Sequence, residues 1–386
     1  MVKSEKPALL YLSPVIPALT GNGLAMRAGT VLECLAQRYD VHLLVAPLYA
    51  PFTSHMPEAL QKMCRRATFV STRPQPRGWL ATVDVWRETQ FDVVHVFRLS
   101  MVTFSDPYLG PRSRRPRRHL DLDDIESVTR RRLAALYDQN GDSVRAAHEE
   151  SEAARHEILE NDAFGRFDRV YVCSALDQQK LEGRTRGSLH VLPNAVRLPA
   201  EVPERTAEGI FTFFFVGTLG YYPNEDAVRY LCAEIVPRIR ALAGDGFRVN
   251  IAGTGASQSL RRDVNMAQVR FLGEVADLHT WYAEADAVVG PVRAGGGTRI
   301  KILEAFSYSR PVVATSIAME GIEARAGEHV LVGDTASDFA QQCARLVTDR
   351  ELGSRLARNA FTLLLKSYTL QSLANALDQM DQQDRG

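Results

Sequence analysis

The sequence predicts an α/β protein of two domains, each built on a parallel sheet. Three observations carry that expectation. The chain opens with an apolar run at residues 8–12, a loop holding Gly21-Asn-Gly23, a helix with Leu24, Ala28, Val31, Leu32 and Leu35 on one face, and a second apolar run at 41–45. Strand, helix and strand in that order commit the chain to a parallel sheet with a right-handed crossover. The same grammar restarts at 211–216, where an apolar run is followed by a glycine loop, a helix at 225–242 and a strand at 247–252. Between the two halves lies a polar stretch, 199–209, with Pro199 and Pro203 and little apolar content, the best domain boundary in the chain. We therefore expect Rossmann-like domains at 1–200 and 201–365, facing one another across a cleft, and a C-terminal helix at 366–386 returning to the first domain.

In the first half, further strands are expected at 67–71, 93–97 and 119–123. The loop before the last of these, 111–118, carries Arg112, Arg114, Arg115, Arg117 and Arg118. It reads as a solvated connection, with steering of an anionic acceptor or peripheral contact with membrane headgroups as the functional alternatives. His119-Leu-Asp-Leu-Asp-Asp-Ile-Glu126 is less ordinary, because Asp121, Asp123, Asp124 and Glu126 crowd the carboxyl end of a buried strand. Like charges there repel one another and lose hydration, so they need a reason. Two stay open: Asp124 caps the next helix while its neighbours accept from backbone amides, or Asp123 and Asp124 are active-site carboxylates. A charged helical pair at 127–164, broken at Asn140-Gly-Asp142, and strands at 170–174 and 190–193 complete this half.

In the second half, strands are expected at 211–216, 247–252, 269–272, 287–292 and 311–314, with a helix at 277–284 and tail helices at 339–347, 351–366 and 370–380. The chemistry concentrates in Gly295-Gly-Gly-Thr-Arg-Ile-Lys-Ile-Leu-Glu304. Apolar positions at Ile300, Leu303 and Phe306 start a helix near Thr298. A glycine loop entering a helix lets backbone N–H groups converge on an anion where the helix dipole is positive. Arg299 and Lys301 add fixed cations, and Glu304 adds an acceptor suited to sugar hydroxyls. Gly295, Gly296, Gly297, Thr298, Arg299, Lys301 and Glu304 together suggest a nucleoside diphosphate with its ribose. The bland alternative is a tight turn with a solvent-facing basic helix end.

Composition narrows the function classes. The 46 basic and 46 acidic residues balance, which removes any global electrostatic case for nucleic acid or an anionic membrane. Five scattered cysteines, with no CxxC pair and no histidine at ligand spacing, read as reduced thiols rather than a disulfide framework or metal site. No apolar run reaches the length of a membrane span, and the N-terminal run is too short for a signal peptide. A cytoplasmic protein is expected, with no cofactor and no bound metal.

The order Phe215-Val-Gly-Thr-Leu, Ile251-Ala-Gly-Thr-Gly, Phe271-Leu-Gly-Glu-Val, Ala285-Asp286, the glycine loop through Phe306 and Arg310-Pro-Val-Val-Ala-Thr315 resembles the retaining glycosyltransferases of family 4, which have the GT-B fold. The first half agrees through Gly21-Asn-Gly23, Asp92-Val-Val-His95, Val172-Cys-Ser174 and Val191-Leu-Pro-Asn194. The resemblance implies a metal-independent hexosyl transfer, with retention, from a nucleoside diphosphate sugar to an acceptor hydroxyl. It implies that Arg299 and Lys301 neutralise the diphosphate, that Glu304 holds the ribose, that Gly217, Thr218 and Gly253 line the donor pocket, and that Val275 lies beside the base. Gly21, Asn22 and Gly23 would close over the same phosphates from the first domain. The chain departs from the family pattern in three places. Gly296 stands where the family keeps the first of two paired carboxylates, Thr218 and Asn224 stand where many members carry an Arg and a Lys, and Asp123 stands where many carry a His. The first departure leaves the sugar to backbone amides of the glycine loop or to Thr298. Two other readings fit the same residues: an epimerase or hydrolase of this architecture, and a non-catalytic partner that binds a nucleotide sugar.

Overall fold

The computed structural model describes residues 6–48, 56–69, 86, 89–108, 115–202, 209–264, 266–297 and 299–383. They form two compact units: the first holds residues 1–131, 148–194 and 373–386, the second 132–147 and 195–372.

In the first unit, β1 (Ala8–Ser13), β2 (Asp40–Val45), β3 (Cys64–Phe69), β4 (Val93–Phe97), β5 (Arg117–Asp121), β6 (Arg169–Val172) and β7 (Ser188–Val191) form one sheet in the order β3-β2-β1-β4-β5-β6-β7. Every adjacent pair is parallel. Such sheets are buried on both faces at their centre, and the central strands β1 and β4 are buried at every residue but Ala8, whereas the edge strand β3 is partly exposed along its whole length. One face packs Leu10, Leu12, Val94, Val96 and Leu120 against Phe91, Tyr108 and Phe164. Toward the other face, Tyr11, His95, His119 and Tyr171 form a cluster of rings with neighbouring centroids 5.3–6.0 Å apart. Burial drives His95 down to about 3 and His119 well below the usual imidazole value, so both are neutral core residues.

β5 ends at Asp121, two residues before the expected end. Asp123 has φ 61°, a left-handed backbone that no strand accommodates. Arg117 and Arg118, expected in the basic loop, belong to the strand, where Arg118 pairs with Asp168 at 3.0 Å. Arg112 and Arg114 lie outside the described residues. The charged helical pair runs Glu126–Gln139 and Ser143–Phe164, with its break where Asn140-Gly-Asp142 predicts one.

In the second unit, β8 (Phe211–Val216), β9 (Phe247–Ala252), β10 (Val269–Gly273), β11 (Ala287–Gly290), β12 (Val312–Ala314) and β13 (Leu331–Val332) form a parallel sheet in the order β10-β9-β8-β11-β12-β13. The long helix expected at 225–242 is three segments: Tyr222–Tyr230, a wide π-helical turn at Leu231–Ile235, and Val236–Ala243. Pro237 cannot donate a backbone hydrogen bond, and the wide turn just before it takes up that defect. The tail is helical at Ala336–Thr348, Arg350–Ser367 and Leu370–Gln383.

Each sheet reverses its direction of growth once, between β1 and β4 in the first unit and between β8 and β11 in the second. The carboxyl ends of strands at such a reversal leave a crevice where open α/β sheets bind ligands. The candidate residues of the second unit follow β8, β9, β10 and β11, all on that edge of the sheet.

Candidate functional site

The second unit's loops are packed tightly at the carboxyl edge. Gly217 donates to the Ala252 carbonyl at 3.2 Å, Gly253 to Gly273 at 2.7 Å, and Leu219 to Thr254 at 2.7 Å. A Cβ on Gly253 would lie 1.9 Å from the Gly217 carbonyl oxygen, so only glycine permits this approach. Val275 lies two residues past the end of β10 and is half-buried.

The glycine loop follows β11. Gly295 and Gly297 have φ 126° and 65°, conformations that glycine adopts at little cost. The helix begins at Ile300, two residues later than expected, with Arg299 in extended conformation at its N-cap. The Arg299 Nη1 donates to the carbonyls of Gly296 and Gly297, the latter at 2.7 Å, so the guanidinium folds back onto its own loop. Thr298 lies outside the described residues.

Lys301 occupies the turn after β8. Its Nζ donates to Asn224 Oδ1 at 2.7 Å and sits 4.7 Å from the centroid of the Phe215 ring. Asn224 is oriented in turn, since its Nδ2 donates to the Thr218 carbonyl at 3.0 Å. A Cβ on Gly217 would stand 2.9 Å from both Lys301 Nζ and Asn224 Cγ, so glycine there makes room for the ammonium. Desolvation pulls Lys301 down to about 7, and the Arg299 charge pulls the same way.

Glu304, one turn further along the helix, has its Oε2 3.4 Å from the Tyr282 hydroxyl. Burial pushes it up to about 7, opposed by that hydroxyl and by Lys301. Tyr282 is fully buried, stacked on Tyr308 with ring centroids 4.6 Å apart. A desolvated cation and a desolvated carboxylate thus lie one turn apart on the helix that follows the glycine loop, and an anionic ligand carrying hydroxyl groups would satisfy both.

Residues 132–147 belong to this unit as well. Arg132 Nη1 donates to the Gly295 carbonyl at 3.0 Å, while the same guanidinium pairs with both carboxylate oxygens of Glu320 at 2.7 and 2.9 Å. Asn140 Nδ2 donates to Tyr222 Oη and Asp226 Oδ1, each at 2.8 Å, and the Tyr137 and Tyr222 rings stack at 4.0 Å. None of these contacts was visible in the spacing of the chain.

The first unit gathers a second charged set at the carboxyl ends of β4 and β5. Arg27 is 1 % exposed; it donates to Asp121 Oδ1 at 2.7 Å, Asn194 Oδ1 at 2.9 Å and the Leu192 carbonyl at 3.1 Å. Its Nε lies 3.6 Å from Asp123. Arg98, at φ 74°, donates to Asp123 at 3.3 Å and also to Asp124 and Glu126. Two arginines therefore answer four carboxylates. Burial pushes Asp124 up to about 7; Arg98 opposes this, and Glu126 and Asp123 add to it. Asp124 makes no capping contact here: its Oδ2 accepts from the Thr129 hydroxyl at 3.2 Å, whereas the amide-accepting role falls to Asp121, which takes the Asp123 N–H at 3.1 Å. On the loop after β1, Gly21 has φ 97°, and Asn22 caps the helix Gly23–Ala36 by accepting from Leu24 and Ala25.

Among the described residues, no group of His, Cys, Asp and Glu could hold a metal ion, and no helix is long and apolar enough to cross a membrane.

Residues 210–349 match the family model of glycosyl transferases group 1. No curated protein matches the chain in sequence. Solved structures of similar fold include sucrose-phosphate synthase from Thermosynechococcus elongatus, at TM-score 0.69 and 15% identity over 97% of this chain and 98% of that one. HepE from Anabaena, solved with UDP and glucose, superposes at TM-score 0.70 and 13% identity over 97% and 100%. The lipopolysaccharide outer core galactosyltransferase WaaB does so at 0.60 and 12% over 97% and 99%. At such identities the likeness is one of fold, and it spans both units. The matched region contains the β8 to β12 loops together with Lys301, Glu304 and the glycine loop, so residues 210–349 form a glycosyl transferases group 1 domain within a chain of GT-B fold.

Proposed function

We propose that the protein transfers a hexosyl group, with retention, from a nucleoside diphosphate sugar to an acceptor hydroxyl. The observation that carries the reading is the placement of Lys301 Nζ at the Gly217 turn, held by Asn224, on the helix that also bears Glu304. Lys301 faces the diphosphate, whose negative charge grows as the C1–oxygen bond breaks and the leaving group takes the electron pair; a preorganised cation lowers that barrier. Glu304 accepts hydrogen bonds from the ribose hydroxyls. The glycine loop supplies backbone N–H groups to the sugar, and Arg299 braces that loop while adding its charge beside the phosphates. The acceptor oxygen then bonds to C1 on the face the diphosphate left, and its proton passes to a diphosphate oxygen. Gly217, Thr218, Gly253 and Val275 line the donor site in this reading, with Gly21, Asn22 and Gly23 as the first unit's phosphate loop. Asp123 and Asp124 are its acceptor-side carboxylates. Asp123 is the better suited to binding hydroxyls, because two arginines lie beside it and its side chain is 17 % exposed.

A thermal-shift screen of UDP, GDP, dTDP and ADP, each alone and as its glucose conjugate, tests the reading. One nucleotide series should stabilise the protein selectively, since a ligand that binds only the folded state raises its melting point. Stabilisation by none of the eight compounds would refute it. The HepE structure, solved with UDP and glucose, makes the uridine series the first to try.

A further inference from the structure

We propose that Arg132 is a positioning residue for the sugar half of the donor: it sets the peptide plane that aims the Gly296 N–H into the donor site. The inference rests on the donor-binding reading above and adds to it a residue from outside the 210–349 match.

A trans peptide holds its C=O and the following N–H antiparallel. Whatever fixes the carbonyl direction of one residue therefore fixes the N–H direction of the next. In the glycine loop, Arg132 Nη1 takes the Gly295 carbonyl at 3.0 Å, which turns the Gly296 N–H away from that guanidinium. Arg299 Nη1 takes the Gly296 carbonyl, which does the same for the Gly297 N–H. Two arginines thus hold consecutive peptide planes of a segment with no side chains and with two residues in left-handed or extended glycine conformations. Without such anchors a triple glycine samples many orientations, and ordering it on ligand binding costs conformational entropy.

Arg132 is itself fixed. Glu320 grips it through both carboxylate oxygens, at 2.7 and 2.9 Å, a geometry that sets the plane of a guanidinium as well as its place. The side chains of Arg132 and Glu320 are 24 % and 30 % exposed, so the pair as a surface ion pair contributes little to stability. Its neighbours in sequence make a useful contrast. Arg130 and Arg131 pair with Glu149 and Glu157 on the adjoining helix, whereas Arg132 alone of the three reaches a backbone carbonyl of the glycine loop.

The test compares nucleotide with nucleotide sugar in one calorimetric series, UDP against UDP-glucose and GDP against GDP-mannose, on wild type, Arg132→Ala, Arg132→Lys and Glu320→Gln. The expected result is that Arg132→Ala weakens the nucleotide sugar tenfold or more while the bare nucleotide changes less than twofold. Arg132→Lys should fall between, because an ammonium can reach the carbonyl but cannot take Glu320 in bidentate fashion. Glu320→Gln keeps the shape of the pair and should shift the same ratio in the same direction by a smaller factor, so the inference stays testable if Arg132→Ala folds poorly. Equal loss for nucleotide and nucleotide sugar, or no change in either, would overturn it. Failure of the wild type to bind any of these four compounds or any of the dTDP and ADP compounds of the thermal-shift screen would instead overturn the donor-binding reading itself.

Discussion

Replacing Lys301 by Met should make the empty protein more stable and its nucleotide binding weaker. Folding pulls the Lys301 pKa from 10.5 to about 7, chiefly by desolvation. One pKa unit corresponds to about 1.4 kcal/mol, so holding this amine charged works against the fold by a few kcal/mol at most. The side chain's remaining solvent contact reduces that to about 1–3 kcal/mol. The folded pKa lies below the unfolded one, so between about pH 7 and 10.5 the unfolded chain carries a proton that the folded protein lacks. Wild-type stability therefore rises with pH across that window, and the variant should lose this slope. Met keeps the length of the side chain and places a polarisable sulfur near the Phe215 ring, where Nζ now stands 4.7 Å from the centroid. Binding should move the other way. A hydrogen bond to a charged group contributes about 1.5–3 kcal/mol, so affinity for the preferred nucleoside diphosphate should drop by about ten- to a hundredfold. Calorimetric titration and thermal melts of the ligand-free protein read the two effects separately. Asn224→Ala, which removes the group that holds the ammonium, should show a smaller binding loss. A lower melting point with unchanged affinity would refute the reasoning and make Lys301 a packing residue on Phe215.

Nucleotide affinity should peak near pH 7: a bound diphosphate favours charged Lys301, so binding takes up a proton above that pH, and ribose hydroxyls favour ionised Glu304, so binding releases one below it. Titrations in buffers of different ionisation heat would detect both protons, and a flat profile from pH 5.5 to 9 would count against the pair. Gly253→Ala should destabilise the second unit by about 1–3 kcal/mol, because its Cβ would lie 1.9 Å from the Gly217 carbonyl oxygen and must push two loops apart; denaturant melts would show it, together with weaker nucleotide binding. Arg27→Met should cost the first unit about 3–5 kcal/mol, since it leaves the fully buried Asp121 carboxylate without its cation. An unchanged denaturation midpoint would remove Arg27 from the network.

The fold was legible because buried parallel strands leave a mark that needs no partner to be seen. β8 and β9 begin and end where the sequence places them, at Phe211–Val216 and Phe247–Ala252. β5 misled at its end because Leu122 continues the apolar pattern, while the chain has already turned through Asp123 at φ 61°. β13 escaped notice for a different reason: two residues, Leu331 and Val332, are too short a run to carry a period. The glycine loop and its helix were also legible, being contiguous. What holds Lys301 was not, since Asn224 lies 77 positions away, nor was Arg132, 163 positions from Gly295. Those contacts come from the fold bringing distant strand ends to one edge, and no local spacing records them.

The charged set of the first unit shows where a sequence could have yielded more. Four carboxylates at 121, 123, 124 and 126 stood without a cation to explain them. Arg27 stood equally unexplained: it lies three positions after Leu24 and four before Val31, on the core-facing side of the helix Gly23–Ala36. A buried charge needs a counter-charge, and the opening βαβ unit already brings that helix and the carboxyl end of the sheet together. Each anomaly was a demand for the other. Taken jointly they predict the contact the structure contains, Arg27 to Asp121 at 2.7 Å between two side chains that are 1 % and 0 % exposed. Burial then pushes the Asp124 pKa up to about 7; Arg98 opposes the rise, and the carboxylates of Glu126 and Asp123 add to it. Asp123 lies beside both arginines and is the more exposed of the two carboxylates proposed to meet the acceptor. Burial therefore lets Asp124 hold a proton at neutral pH, while Asp123, beside both arginines and the more exposed of the two, is the carboxylate placed to accept from hydroxyl groups.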